Sequence, residues 1–319
     1  MKTKIVYVLV SEETDYYYEM VLLSLYSLRL YHPKDNVELV MDEATYQRLI
    51  DKKAAILDDV TPIVVPIPSE YSVLQSSRYL KTMLRELIKG DFLYLDCDTI
   101  ICESLEDIDT QTSVIGMVAD EIGDLILTDK WCLDMCNKAG FTQLKGKPWY
   151  NGGVLYVKDE PAAHLLFNTW HQLWKKSVLA GVSQDQPALC QANYNLNFPI
   201  QRISDIWNYQ IKKDNLRGTK IFHYIAQRKK YMYVNVLQYI KDRGFIDKTV
   251  DKLARNPLTI GYSIYFISHE QSLQYLFSDQ FNLYDKIPRL YKISTITTRI
   301  LSKLYIIKFH IKRNNSSVK

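Results

Sequence analysis

Short apolar segments rich in Val, Ile and Tyr alternate with segments of helical periodicity through the first two thirds of the chain. This alternation constrains the fold strongly, because strands separated by helices are joined by crossover connections. The pattern predicts strands over 4–10, 37–41, 63–67, 92–95, 113–118 and 153–157. It predicts helices over 15–31, 43–52, 76–89 and 160–176. We therefore predict an α/β fold with a mostly parallel sheet covered on both faces, and a ligand crevice at the carboxyl ends of its strands.

The overall composition is that of a globular protein and excludes several classes. The 319 residues are 47% apolar and 24% charged, with only 11 Gly and 10 Pro, which argues against collagenous, low-complexity and largely disordered chains. Neither a dinucleotide-binding GxGxxG nor a phosphate-binding GxxxxGK[ST] motif follows the first predicted strand. A nucleotide bound by this chain must therefore have its phosphates neutralised in another way.

The formal charge of +4 is unevenly distributed. Residues 284–319 hold nine Lys and Arg against Asp285, or +8, and the remaining 31 basic and 35 acidic residues sum to −4. The apolar stripe Ile300, Leu304, Ile307 and Ile311 is flanked by Arg299, Lys303, Lys308, Lys312 and Arg313. Such a basic amphipathic helix either docks on the body of the protein or contacts an anionic membrane surface. We expect no nucleic-acid partner, because the body is acidic and carries no recognisable nucleic-acid module.

The five cysteines suggest a reducing compartment. Their number is odd and their spacing matches no disulfide framework, which favours a cytoplasmic location. Cys132 and Cys136 lie one helical turn apart, and we interpret them as buried core thiols rather than metal ligands. The apolar run 5–10 is too short for a signal-peptide core or a membrane span.

Two carboxylates follow the predicted strand 92–95 directly, at Asp96 and Asp98. In an extended chain both would face the crevice, while Cys97 between them would point back into the fold. A divalent cation with oxygen ligands would neutralise the pair and bridge to a diphosphate. The alternative is a solvated loop pair that caps the next element.

In motif order, residues 4–233 resemble glycosyltransferase family 8, in particular the bacterial lipopolysaccharide and capsule enzymes. The resemblance rests on the segments 92–98 (FLYLDCD), 150–156 (YNGGVLY), 183–186 (SQDQ) and 220–224 (KIFHY). It implies a single Rossmann-like domain of the GT-A type that binds a nucleotide sugar. It also implies Mn²⁺, or alternatively Mg²⁺, held by Asp96, Asp98 and His223.

Further site residues follow from the same resemblance. Asp185 and Gln186 would be the catalytic pair, although Asp185 could instead cap a helix. The donor would be bound by Arg78, Lys81, Asp96, Cys97, Asp98, Asn151, Gly152 and Lys229. We interpret Asn151-Gly152-Gly153 as a turn before a strand, and Arg78 and Lys81 as two cations one helical turn apart that face the crevice.

The domain prediction is a GT-A domain over 1–233, a helical extension over 234–283 and the basic tail over 284–319. The resemblance implies a retaining, Mn²⁺-dependent hexosyltransferase. It would use a UDP-sugar and a lipid-linked or polysaccharide acceptor at the inner face of the cell membrane, in lipopolysaccharide or capsule synthesis. The alternatives are a sugar nucleotidyltransferase and a catalytically inactive, glycosyltransferase-like scaffold.

Overall fold

The computed structural model describes residues 1–12, 16–120, 126–210 and 218–225, and between 236 and 257 residues 236, 238–240, 242–244, 246–255 and 257. The chain divides into two compact units, Met1–Gln210 with Lys220–His223, and Ile211–Thr219 with Tyr224–Lys319. In the second unit a helix occupies Asp247–Arg255. Lys229 and the basic tail over 284–319 lie outside the described residues. The features below belong to the first unit.

Nine strands are described in this unit. They are β1 Lys4–Leu9, β2 Val37–Asp42, β3 Thr61–Val65, β4 Phe92–Leu95, β5 Thr99–Ile101, β6 Ile115–Ala119, β7 Tyr150–Val157, β8 Gln201–Arg202 and β9 Ile221–His223. The helices are α1 Tyr17–Arg29, α2 Glu43–Asp51, α3 Val73–Leu87, α4 Lys130–Lys138, α5 Pro161–Leu179 and α6 Gln186–Asn195. The predicted alternation is therefore confirmed, with most boundaries shifted by a few residues.

Seven of the strands form one sheet in the order β3-β2-β1-β4-β7-β6-β8. The pairs from β3 to β4 are parallel, β7 is antiparallel to both β4 and β6, and β8 is parallel to β6. The strands β1, β2, β4 and β6 are almost entirely buried, as their mostly apolar sequences require of a sheet covered on both faces. The mostly parallel α/β fold is thus confirmed.

Successive residues of β1 and β4 point to two separate cores. Val6, Val8 and Tyr94 pack with apolar residues of α3 and α5, including Leu80 and Trp170. The alternate residues on the same strands pack on the other face with α1 and with the small antiparallel sheet β5-β9; they are Ile5, Tyr7, Leu9, Leu93 and Leu95. The α3 layer and the β5-β9 layer thus approach the end of β4 from opposite sides.

The helix α3, which carries Arg78 and Lys81, starts with a capping box. The Ser72 side chain accepts from the Gln75 backbone N–H at 3.3 Å, and the Gln75 side chain accepts from the Ser72 N–H at 2.9 Å. These two bonds satisfy backbone donors that the first helical turn otherwise leaves without partners.

Two other sequence predictions concern the thiols and the membrane. All five cysteines are described, each is a thiol, and Cys132 and Cys136 are buried in the core as predicted. Within the described part of the chain, none of the helices combines the length and apolar character that a bilayer crossing demands.

Candidate metal and nucleotide-sugar site

The first two acidic residues of the site lie where β4 ends. The Asp96 backbone N–H donates to the Gly153 carbonyl oxygen at 2.7 Å, which extends the β4–β7 ladder by one bond. The chain then turns, and the Thr99 hydroxyl donates to the Asp96 carbonyl oxygen at 2.8 Å. The expected extended geometry is therefore wrong: a turn between β4 and β5 brings Asp96 and Asp98 together. Cys97 points inward as expected, with Sγ donating to the Val8 carbonyl oxygen at 3.2 Å.

His223 reaches the two aspartates because of strand pairing. It is the last residue of β9, and its register partner in β5 is Thr99, the residue that follows Asp98. Its Nε2 atom lies 3.2 Å from Asp98 Oδ1 and 3.8 Å from Asp96 Oδ2. Burial lowers the pKa of His223, but Asp98 and then Asp96 outweigh burial and raise the pKa above its ordinary value of 6.5.

The three side chains fit a divalent metal ion. Asp96, Asp98 and His223 each offer one ligand atom, and these atoms lie within 4.8 Å of one another. Two carboxylate oxygens and one imidazole nitrogen form a donor set that suits borderline divalent ions, Mn²⁺ among them. The His223 side chain is only 4% exposed, while Asp96 and Asp98 are 21% and 15% exposed, so the ion would enter from the side of the aspartates.

On the opposite side of Asp96, two cations from α3 meet a second carboxylate. Lys81 Nζ lies 3.3 Å from Asp96 Oδ1 and 3.5 Å from Asp185 Oδ2, and Arg78 Nε lies 3.1 Å from Asp185 Oδ1. Burial lowers the pKa of Arg78, but Asp185 and then Asp96 more than compensate and raise it, so the guanidinium stays charged. Asp185 makes no side-chain capping bond to α6, although it precedes that helix. The two predicted cations and Asp185 therefore form one ion-pair cluster.

Lys81 is a buried lysine, with only 2% of the residue exposed. Its ammonium group lies 5.0 Å from the centroid of the Tyr94 ring, and the Tyr94 hydroxyl donates to Asp96 Oδ1. Asp96 thus accepts from Lys81 and Tyr94 through one oxygen, while its other oxygen faces His223. Burying this lysine is tolerable because two carboxylates compensate its charge.

The residues Asn151, Gly152 and Gly153 lie within strand β7, so the predicted turn is wrong. A Cβ atom on Gly152 would lie 3.2 Å from Lys81 Nζ, and one on Gly153 would lie 2.1 Å from His223 Cε1. The β6–β7 register shifts between Met117 and Val118, opposite these glycines. The tandem glycines therefore let the α3 layer and the β5-β9 layer both approach the strand backbone.

Asp120 is a site residue that the sequence interpretation missed. It follows β6 at the same sheet edge as Asp96, and it is only 1% exposed. Its Oδ2 atom accepts from Gln186 Nε2 at 2.7 Å and from Asn151 Nδ2 at 3.2 Å. Gln186 Nε2 also donates to the Tyr150 carbonyl oxygen at 3.0 Å. The Gln186 amide nitrogen therefore donates both to Asp120, which follows β6, and to Tyr150 in β7. The signal was available, because Asp120 follows a buried strand just as Asp96 does.

Asn208 is the second residue that was missed. It follows the 3-10 helix Asp205–Trp207, and its side-chain oxygen lies 3.0 Å from His223 Nδ1. The neighbouring backbone of Tyr209 pairs with β9: its N–H donates to Ile221 and its carbonyl accepts from His223, both at 2.9 Å. No local pattern marks Asn208, because only the pairing with β9 brings it to His223.

Comparison with known proteins supports the fold. No family model matches the chain, and no curated protein matches it by sequence. Among solved structures, mouse xyloside xylosyltransferase 1 in its apo form is 15% identical over 70% of this chain and 98% of its own, with a TM-score of 0.48. A structure of the glycosyltransferase GlyE from Streptococcus pneumoniae TIGR4 is 16% identical over 71% of this chain and 56% of its own, with a TM-score of 0.49.

The apo form of GlyE carries the structural comparison, with a TM-score of 0.52 and 15% identity over 82% of this chain. This chain spans 65% of the GlyE chain in that structure. Together with the sheet order, the likeness shows a Rossmann-like fold of the GT-A glycosyltransferase type. The residues that could hold a metal ion lie at the carboxyl end of β4 in this fold.

Proposed function

We propose that this protein is a retaining, Mn²⁺-dependent glycosyltransferase of the family 8 type. It would transfer a hexose from a UDP-sugar to a lipid-linked or polysaccharide acceptor in cell-surface glycan synthesis. The observation that carries the proposal is the Asp96, Asp98 and His223 cluster at the carboxyl edge of a GT-A sheet. Parallel α/β sheets bind their ligands at this edge.

The proposed chemistry depends on charge that develops on the leaving diphosphate. Bound Mn²⁺ would supply Lewis-acid stabilisation of that charge. The donor is bound by Arg78, Lys81, Cys97, Asn151 and Gly152, with Lys229 as a further contact from outside the described residues. As the bond from the anomeric carbon to the diphosphate breaks, an acceptor hydroxyl bonds to that carbon and its proton passes to the departing diphosphate.

Asp185 and Gln186 are the proposed catalytic pair. Asp185 is held between Arg78 and Lys81, which neutralise its charge and make it a weaker nucleophile. Because Gln186 Nε2 is committed to Asp120 and Tyr150, its Oε1 is the atom left to face the sugar. Both features favour attack on the same face as the departing diphosphate over a covalent intermediate on Asp185.

The decisive experiment is a donor screen with the purified full-length protein. We expect UDP release from at least one UDP-sugar that depends on Mn²⁺, and we expect Asp98→Asn to lower it to background. Asp58→Asn, which alters an exposed carboxylate of a 3-10 helix, is the matched control and should retain the wild-type rate. Retention of UDP release in Asp98→Asn would contradict the proposal. So would a wild-type protein that neither binds nor hydrolyses any UDP-sugar with Mn²⁺ present.

We further propose that the basic tail over 284–319 holds the protein at the anionic inner face of the membrane. The proposal rests on the tail charge of +8 and its amphipathic pattern. The thiols described above support a reducing compartment.

A further inference from the structure

The His223 ring has two nitrogen atoms with different partners. Nε2 faces Asp98 and Asp96, and Nδ1 lies 3.0 Å from Asn208 Oδ1. An imidazole binds a metal through the lone pair of an unprotonated nitrogen, so a metal at Nε2 requires the hydrogen on Nδ1. The partner of Nδ1 therefore decides which tautomer is favoured, because an amide oxygen selects Nδ1–H and an amide nitrogen selects the opposite form.

The orientation of the Asn208 amide follows from a backbone donor two bonds away. The Gly153 N–H can only donate, and it points to Asn151 Oδ1 at 2.8 Å. Asn151 Nδ2 then faces Asp120 Oδ2 at 3.2 Å, a carboxylate oxygen that accepts. The Asn151 oxygen and nitrogen are thus assigned, because the Gly153 N–H can only donate and the Asp120 carboxylate accepts. The Asn151 oxygen is therefore the atom that faces Asn208.

Asn208 continues the same sequence of bonds. Its Nδ2 atom donates to Asn151 Oδ1 at 2.9 Å, so Oδ1 is the atom that faces His223 Nδ1. Asn208 is 0% exposed, His223 3% and Asn151 6%, so the amide is enclosed and a flip would set oxygen against oxygen at Asn151. Each bond from Gly153 to His223 therefore has a single donor-to-acceptor direction.

We propose that Asn208 is a positioning residue that holds His223 as the Nδ1–H tautomer, with the Nε2 lone pair directed at the ion site. The inference rests on the metal site of the proposed function and adds a residue to it. If so, Mn²⁺ affinity depends on the Asn208 amide, which would contact neither the metal ion nor the nucleotide sugar. Loss of such a supporting partner typically lowers metal affinity by about 10–100-fold.

The test measures Mn²⁺ affinity of the full-length protein from the electron paramagnetic resonance signal of the free ion. We expect Asn208→Ala to weaken binding by about 10–100-fold. We expect Asn208→Asp to stay close to wild type, because a carboxyl oxygen at this position accepts from His223 Nδ1–H as the amide oxygen of asparagine does. Asn193→Ala is the control: Asn193 is a buried amide of α6, 1% exposed, whose Oδ1 accepts from the Ile200 N–H.

A purely structural role for Asn208 would give a different result. Folded Asn208→Ala that binds Mn²⁺ as tightly as wild type would overturn the inference, and so would Asn208→Asp that binds as weakly as Asn208→Ala. Asn208→Leu fills the space without an acceptor and gives the same information should the alanine variant not fold.

The readout also separates this inference from the transferase proposal. A protein that shows the expected order of Mn²⁺ affinities but turns over no UDP-sugar retains the Asn208 role and loses the transferase activity. A wild-type protein that binds no Mn²⁺ contradicts both.

Discussion

At the residue scale, Gly153 is the position with the least tolerance for a side chain. A Cβ atom there would lie 2.1 Å from His223 Cε1 and 2.6 Å from His223 Nδ1, well inside contact distance. The His223 ring therefore packs directly on the backbone of β7. Metal binding requires the absence of one methyl group on a strand that contributes no metal ligand in the proposed site.

Substitution of Gly153→Ala should displace His223 and lower Mn²⁺ affinity by about tenfold or more. The physical reason is the overlap with the ring, which forces Nε2 away from Asp98. Isothermal titration calorimetry with Mn²⁺ measures the change. The matched control is Gly116→Ala in β6, whose Cβ would lie 2.8 Å from Ile203 Cγ2. It introduces a similar overlap but should leave Mn²⁺ affinity unchanged, because Ile203 is not one of the residues of the proposed metal site. Equal Mn²⁺ affinity in wild type and Gly153→Ala would show that His223 is not held in this way.

Some site residues could be predicted from the sequence and others could not. Asp96 and Asp98 follow a buried strand, which is a local signal, and resemblance added His223, Arg78, Lys81, Asp185 and Gln186. Asn151-Gly152-Gly153 was misinterpreted because consecutive glycines usually mark turns, whereas here two side chains approach the strand backbone. Asn208 has no local signal, because its partner His223 lies 15 residues further along the chain.

At the element scale, the packing of α3 against α5 encloses an imidazole. The Thr82 hydroxyl lies 2.8 Å from His171 Nδ1, and the His171 ring packs edge-on to Tyr79 with centroids 5.1 Å apart. Burial, and to a lesser degree Lys175, lowers the pKa of His171 from 6.5 to about 4. The unfolded chain therefore takes up the proton before the folded protein does.

This difference makes the α3–α5 contact sensitive to acid. The free energy of unfolding should fall as the pH decreases from about 6.5 towards 4, and His171 should account for a loss of about 1–2 kcal/mol at pH 5 once solvent screening is allowed for. Urea unfolding at pH 7.5 and pH 5 measures this loss. Between the two pH values the free energy of unfolding of His171→Gln should fall less than that of wild type, and the difference is the contribution of His171. Gln172→Ala, a change at an exposed residue of the same helix that carries no titratable group, should show the wild-type acid loss. An identical acid loss in wild type and His171→Gln would contradict the assignment.

The elements themselves were predictable to the extent that their apolar pattern was strong. The strands β1, β2 and β4 are mostly apolar, and their predicted positions hold within a residue. The strand β8 has two exposed polar residues, Gln201 and Arg202, and exists only because it pairs with β6. Its pairing comes from tertiary structure, which no local periodicity can report.

At the scale of the whole molecule, charge is divided between an acidic body and a basic tail. The net charge of the body is −4 and that of residues 284–319 is +8. This division of charge would orient the protein on an anionic surface with the tail towards that surface. Screening by salt acts on such exposed charges, so adhesion should weaken as ionic strength rises.

Replacing Arg299, Lys303, Lys308 and Lys312 by Gln should weaken binding to anionic vesicles by about 4 kcal/mol, or roughly a thousandfold. Sedimentation with vesicles of phosphatidylserine and phosphatidylcholine measures the partition. Replacing the exposed body residues Lys34, Lys52, Lys53 and Lys89 by Gln changes the net charge equally and should have little effect. Equal losses in the two quadruple variants would indicate that only net charge matters.

The distance along the chain between Asp98 and His223 has a consequence for biosynthesis. The two residues are 125 positions apart, since 223 minus 98 is 125, and strand β9 is the last of the described strands to be translated. At about 5–20 residues per second, roughly 6 to 25 seconds separate their synthesis. A nascent chain that ends before β9 carries the two aspartates but not the histidine. The cluster of Asp96, Asp98 and His223 therefore forms only after β9 has been synthesised and has paired with β5.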